Sequence, residues 1–306
     1  MHSNRKNKLG GLSDQYVLLV TFCILNNNFT IKKATILVTN KCNFKCEHCF
    51  WGNISKEQVI ADNLLKYIVS KCVENNIKHI CFSGGEPFLY LDKIVDVMRC
   101  YKNEFAKVSI CTNGYWGNDA RVIDKLKVAG INSIELSYDK YHAKFIGFEK
   151  IINIINEVKN NDIKIEIVVS VANYKEIIQF QSKLAKYIDS KHITYQYVGR
   201  YRNGANIEID DYANFNAKCS QFMKQICVDF NGLLYYCCGP YVSLGAKTNF
   251  CVGQFTQDSI GNLKNNRSLY HYMSMIKHSD GCYACDECLK MLDSYILSNG
   301  ICRCNK

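Results

Sequence analysis

From residue 34 onward, short β-branched runs alternate with longer amphipathic stretches, at a spacing of about 30 residues. No other feature of the 306-residue chain limits its fold as much. The runs are Ala34–Thr39, Lys78–Phe82, Lys107–Thr112, Ser133–Ser137, Ile163–Ser170 and Ile193–Val198. Between them, helical spacing of apolar residues predicts helices over Ser55–Glu74, Leu91–Tyr101, Asp119–Ala129, Phe148–Val158 and Tyr174–Ile188. The first of these carries Val59, Ile60, Leu64, Leu65 and Ile68 on one face. Strand, helix, strand in this order implies parallel strands joined by right-handed crossovers.

Six such units predict an α/β fold, a partial (β/α)6 TIM-like barrel open on one side. The rhythm breaks near Gly199, and beyond Gly204 the pattern becomes irregular and dense in cysteine. Three segments are therefore expected: an N-terminal extension over 1–33, the barrel over 34–205 and a C-terminal module over 206–306. The extension holds one apolar run, Tyr16–Leu25, that reads as a strand or hairpin rather than a signal peptide. No apolar stretch approaches the length of a membrane span, so no membrane association is expected and the chain is expected to be cytoplasmic.

Eighteen cysteines need an explanation in that compartment, where disulfides are disfavoured. Metal binding is the better one, iron–sulfur first and zinc second. Ten of the eighteen fall between Cys219 and Cys304, in a module that needs staples because it lacks a large apolar core. Cys23, Cys72, Cys81, Cys100 and Cys111 sit in apolar strand or helix patterns and are expected to be small core residues. The net charge of +10 is spread over many lysines, and nucleic acid is not the expected partner.

The loop after the first predicted strand reads Cys42-Asn-Phe-Lys-Cys46-Glu-His-Cys49. A [4Fe–4S] cube takes four thiolates, so three leave one iron open to a ligand. The alternative is a structural zinc site closed by a distant residue, although this spacing is not a usual zinc-finger one. The loop after the second strand reads Ser83-Gly84-Gly85-Glu86-Pro87. Paired glycines allow close backbone approach to a ligand, and a carboxylate beside them can meet an ammonium group. Both loops lie at strand C-termini, where such barrels keep their chemistry.

Together these two loops resemble the radical SAM superfamily, over Ala34 to about Gly204. The resemblance implies that Cys42, Cys46 and Cys49 hold a [4Fe–4S] cluster whose open iron takes S-adenosylmethionine (SAM). It implies further that Gly84, Gly85 and Glu86 lie against the SAM ammonium. His48 stands where an aromatic residue packs near adenine. Ser137 and Asp139, at the end of the fourth strand, are candidates for the SAM ribose, turn formation and capping being the alternatives. Arg200 or Arg202 is a candidate for its carboxylate.

Cys219-x12-Gly232-x4-Cys237 resembles the opening of a SPASM or twitch auxiliary-cluster domain. With Cys282 and Cys285 it implies one auxiliary [4Fe–4S] cluster, Cys288 being the alternative to Cys285. The C-terminal spacing departs from a full SPASM domain, so a second auxiliary cluster is not expected. Adjacent cysteines rarely bind one metal, so Cys238 is read as a spare thiol or as a buried inert one.

More narrowly, Asn113-Gly-Tyr-Trp-Gly117, Ser137-Tyr-Asp-Lys-Tyr-His142 and Gly232-x4-Cys237-Cys238 resemble radical SAM peptide epimerases that make D-residues in epipeptides. The resemblance implies an isomerase: a 5′-deoxyadenosyl radical takes a Cα hydrogen from a ribosomally made peptide, and Cys238 returns one. Tyr138, Asp139 and His142 would line the substrate side. An external electron donor of the flavodoxin or ferredoxin type is implied as a second partner. The rival enzyme reading is a peptide crosslinker forming thioether or carbon–carbon bonds. The rival from another class is a non-catalytic metal-stabilised protein that binds nucleic acid or peptide.

Overall fold

The computed structural model describes residues 31–49, 51, 56–117, 119–197, 224–266, 269 and 292–298. Contacts divide the chain into Met1–Thr30 and Ile31–Lys306, and only the second unit holds described residues.

Six parallel strands form the expected series: β1 (Lys33–Thr39), β2 (His79–Gly84), β3 (Lys107–Thr112), β4 (Ser133–Ser137), β5 (Lys164–Val171) and β6 (Ile193–Tyr197). They pair in chain order. The connecting helices are α1 (Asp62–Glu74), α2 (Leu91–Met98), α3 (Ala120–Val128), α4 (Phe148–Asn160) and α5 (Tyr174–Leu184). This is the α/β partial barrel expected from the periodicity. Side-chain caps fix two helix starts: Asp119 accepts from Arg121 N at α3, and Asn173 accepts from Glu176 N at α5.

The sheet does not stop at β1. Strand β7 (Gln225–Val228) pairs parallel to β1 on its free edge, and β8 (Leu233–Tyr235) and β9 (Cys251–Gln254) follow as antiparallel strands. The nine strands run in the order β6-β5-β4-β3-β2-β1-β7-β8-β9. The cysteine-rich tail thus begins as a continuation of the barrel wall.

Helix α1 starts at Asp62, not at Ser55 as its periodicity suggests. The residues before it are recruited by β1 instead. Val59 bridges Thr39, Ile60 N donates to Val38 O, and Ile60 is buried. Asn40 closes the same seam by donating to Lys56 O and accepting from Gln58 N.

The two faces of the sheet differ in chemistry. On the helix side Ile36, Ile80, Phe82, Ile110, Ile134, Leu136, Ile167 and Val169 are wholly buried. Leu65, Ile68, Ile94, Met98, Leu126, Ile151 and Ile154 supply the helix half of that core. On the inner side, rows of paired residues are polar or thiol-bearing. One row reads Gln225–Lys33–His79–Lys107, and the next reads Cys227–Thr35–Cys81–Ser109–Ser133. Parallel sheets are normally apolar on both faces. A polar inner face marks the concave side as the side that receives something.

Cys72 is a core residue as expected, but Cys100 is exposed. Cys81 and Cys111 belong to the inner face, since strand alternation carries them away from Phe82 and Ile110. Cys23 lies outside the described residues.

Candidate active site

The three-cysteine loop leaves the C-terminal end of β1 and is tied down at its start. Lys41 N donates to Thr39 Oγ1, which donates to Gln58 O. Cys49 N donates to Cys46 O, closing a turn between two of the thiols. Cys46 is buried with Tyr141, and Phe44 and Cys49 pack on that pair. Phe44 also stacks on Phe145 at 5.1 Å between ring centres. Burial pushes the Cys42 thiol up to about 11 and the Cys46 and Cys49 thiols above their ordinary range. Neighbouring anionic groups add to the rise, Glu86 and then Cys49 at Cys42, and Asp139 and then Cys49 and Cys42 at Cys46.

Gly84 and Gly85 explain how the second loop fits beneath the first. A Cβ on Gly84 would lie 2.1 Å from Thr39 O, and one on Gly85 would lie 2.1 Å from Lys41 O. Gly84 also has a φ of +132°, which side chains disfavour. The glycines let Gly85 N donate to Thr39 O at 2.7 Å and Glu86 N to Lys41 O at 2.8 Å. Backbone of the second loop therefore holds backbone of the first.

Glu86 extends the clamp to the third strand. Its carboxylate accepts from Thr112 Oγ1 at 2.9 Å, Asn113 N at 2.8 Å and Phe88 N at 3.1 Å. Burial raises its pKa to about 7, against the lowering effect of those donors. Asn113 completes the circuit by donating to Asn43 Oδ1 at 2.9 Å and pointing its amide at Cys42 Sγ, 3.6 Å away. Phe88 and Trp116 stack at 5.0 Å and lock the second loop to the third. Sequence analysis gave Asn113 no task beyond its place in the Asn113–Gly117 motif. The signal was its position between Thr112 and Gly114 at the strand end.

The radical SAM superfamily model matches residues 36–180. Over those residues, which make up most of the barrel, the chain is similar to the radical SAM superfamily. A Methanocaldococcus jannaschii protein, assigned by name alone as a glycyl-radical enzyme activating enzyme, is 27% identical over 61% of this chain and 76% of its own. YydG of Bacillus subtilis, assigned by name alone to peptide biosynthesis, is 26% identical over 47% of each chain. The chain thus spans about half the length of YydG. Among solved structures, anSMEcpe with AdoMet and the Cp18Cys peptide bound has the same fold. Its TM-score is 0.58 at 16% identity, covering 88% of this chain and 98% of that one.

Likeness to that superfamily implies a [4Fe–4S] cluster and SAM, and the donor set fits. Cys42, Cys46 and Cys49 carry free thiols on one loop at the mouth of the barrel. The Asn113 amide is aimed at one of the sulfurs, as a hydrogen bond to a cluster thiolate requires.

His48 of the cysteine loop forms a second polar knot with Asp139 and His142. Asp139 is fully buried and accepts from Tyr141 N, His142 N and Ser170 N. His142 Nδ1 lies 2.9 Å from its Oδ1 and His48 Nε2 lies 3.9 Å from its Oδ2. Burial alone would raise the Asp139 pKa, but the His142 hydrogen bond and charge bring it down to about 2. Burial lowers His48 to about 4, partly offset by Asp139, so the ring is neutral near pH 7. Its ring tilts against Tyr141 at 4.5 Å. Both Asp139 oxygens face protein groups, and the residue anchors the turn after β4. Ser137 is half-buried on the inner face at the end of that strand.

Tyr138 does not face a substrate. Alternation after Ser137 turns it outward, where it is 1% exposed and packs between Phe148 of α4 and Phe180 of α5. Cys237 is half-buried and Cys238 exposed, just after β8. Gln225 Nε2 donates to Cys238 Sγ at 3.2 Å, on the inner side of β7. Cys219, Cys282, Cys285, Cys288, Arg200 and Arg202 lie outside the described residues. Among the described residues, no helix is long and apolar enough to cross a membrane.

Proposed function

We propose that this radical SAM enzyme epimerises residues of a ribosomally made precursor peptide. One observation carries the reading. Cys238 is held by Gln225, whose partner Lys33 starts β1, whereas the cysteine loop leaves the other end of that strand. The seven residues of β1 make six steps between those ends, a rise of about 20 Å. A peptide lying across the polar inner face would meet the two sets of thiols from opposite sides. The peptide-directed name of YydG and the peptide bound to anSMEcpe support a peptide as the substrate class.

Cys42, Cys46 and Cys49 would hold the cluster, with Gly84, Gly85 and Glu86 supporting the SAM end of the site. Bound there, SAM supplies a 5′-deoxyadenosyl radical able to take a Cα hydrogen. Cys238 would then give a hydrogen atom to the opposite face of that carbon, inverting it, and the thiyl radical left behind would be reduced by one electron and take up a proton. Cys237, with Cys219, Cys282 and Cys285, would hold an auxiliary cluster near the donor thiol, and a flavodoxin or ferredoxin would deliver electrons.

The test is incubation of the anaerobically reconstituted enzyme with its peptide, SAM and reductant in deuterated water. Wild type should form 5′-deoxyadenosine and D-residues carrying one deuterium each. Cys46→Ala should form neither. Cys238→Ala should still form 5′-deoxyadenosine but no D-residue. A product lighter by two hydrogens would instead identify the crosslinking chemistry.

A further inference from the structure

Below the cysteine loop, on the inner face of the sheet, two thiols and a carboxylate converge from three neighbouring strands. Cys81 Sγ lies 3.7 Å from Cys111 Sγ. Cys111 Sγ lies 3.3 Å from Glu135 Oε2, and Cys81 Sγ 3.8 Å from Glu135 Oε1. One donor atom from each residue lies within 4.8 Å of the other two. All three carry atoms that bind metals, and none has a task in the chemistry described above.

The close sulfurs are not a disulfide waiting to form. Cys81 pairs with Ser109, so Cys111 sits two residues further along β3. That register puts the two Cα atoms about 8 Å apart, beyond the roughly 7 Å a disulfide can bridge. A metal ion can join sulfurs that a covalent bond cannot. Tetrahedral zinc, with zinc–sulfur bonds of about 2.3 Å, places two thiolates about 3.8 Å apart. The 3.7 Å separation is that edge.

The surroundings suit such a site. Ser109 Oγ donates to Glu135 Oε1 at 2.9 Å, and His79 Nε2 lies 2.9 Å from Ser109 Oγ. Lys33 Nζ is 3.6 Å from the same Oε1. These groups hold Oε1 and leave Oε2 turned toward Cys111, as outer-sphere partners orient a ligating carboxylate. Two thiolates, one carboxylate and a divalent cation sum to one negative charge, which the Lys33 ammonium balances. Cys111 and Glu135 are only half-buried, so the fourth position faces the barrel interior.

We propose that Cys81, Cys111 and Glu135 bind a thiophilic divalent cation, such as zinc, with one coordination position open to the barrel interior. Binding releases the two thiol protons to solvent, and no electron is transferred.

The test is zinc K-edge absorption on the full-length holoenzyme, reconstituted with iron and sulfide, loaded with zinc chloride and dialysed. The edge is specific to zinc, so the iron–sulfur clusters do not contribute. The expected result is one zinc per chain with two sulfurs at about 2.3 Å and lighter oxygen or nitrogen neighbours. Cys81→Ser/Cys111→Ser should lose that zinc while keeping its iron. Glu135→Gln should weaken zinc binding at least about 10-fold while keeping the two-sulfur signature. Wild type that retains no zinc, or zinc surrounded by four sulfurs, overturns the proposal, as does undiminished zinc in the double variant. If the double variant fails to fold, the wild-type spectrum decides alone.

Discussion

Gly85 lies so close to Lys41 that a Cβ on it would sit 2.1 Å from the Lys41 carbonyl oxygen. The atom in the way is backbone, at the root of the cysteine loop, and it cannot swing aside like a side chain. Gly85→Ala should therefore displace the loop that carries Cys42. Overpacking of this kind costs about 1–3 kcal/mol, and here it also breaks the Glu86 N to Lys41 O hydrogen bond. Expected outcomes are a lower unfolding midpoint and reduced iron after anaerobic reconstitution. Normal iron content in Gly85→Ala would show that the clamp does not shape the cluster loop.

Glu86 is the most heavily committed side chain of the second loop. Its carboxylate accepts from one hydroxyl and two backbone N–H groups while wholly buried. Glu86→Gln replaces one acceptor oxygen with a donor that faces other donors. Leaving buried donors unmatched costs about 1–3 kcal/mol. The variant should be destabilised by that order and should bind SAM more weakly, which calorimetry on the reconstituted protein measures. Unchanged affinity and stability would mean that Gln reproduces the network, contrary to the three donors that face the carboxylate.

Asn113 joins the first and third loops through one amide. Asn113→Asp keeps the acceptor that receives Tyr115 N at 3.0 Å but removes the donor to Asn43 and Cys42. It also adds a negative charge beside the Cys42 sulfur, a proposed cluster ligand. Both changes disfavour the reduced cluster, so its reduction potential should fall relative to wild type. Spectroelectrochemical titration of the SAM-binding cluster gives the answer, and a potential equal to wild type removes Asn113 from the tuning role.

The sequence made the barrel legible because its signals are local. Strand and helix periods, the CxxxCxxC loop and the glycine pair can each be read within a few residues. What escaped was decided by distant partners. Val59 and Ile60 fit a helix by spacing, yet β1 pairs with them first. Tyr138 was read with its neighbours in one motif, but a single step of strand alternation turns it into the helix layer. Strands β7–β9 are only three or four residues each, too short to show a period against an irregular background. The Cys81–Cys111–Glu135 meeting is invisible in a linear reading because its members come from three strands.

The inner face also sets a pH dependence. His79 is driven down to about 3 by burial and by the Lys33 and Lys107 cations, with Glu135 pulling the other way. In the unfolded chain its pKa returns to about 6.5. Between those values the unfolded state binds more protons, so stability rises with pH and is lost as pH falls below about 6.5. Glu86 has the opposite sign: its folded value of about 7 exceeds its unfolded value, so its contribution falls as pH rises from about 4.5 to 7. The two partly cancel in wild type, and single variants separate them. His79→Gln should lose less stability than wild type between pH 6.5 and 5.5, by at most about 1 kcal/mol after screening at a half-buried site. Glu86→Gln should lose more over the same step. Urea unfolding of the cluster-free chain at both pH values measures each difference. Parallel slopes for wild type and His79→Gln would mean that the imidazole is solvated and titrates normally, and that the inner face is wetter than its lysines and glutamates imply.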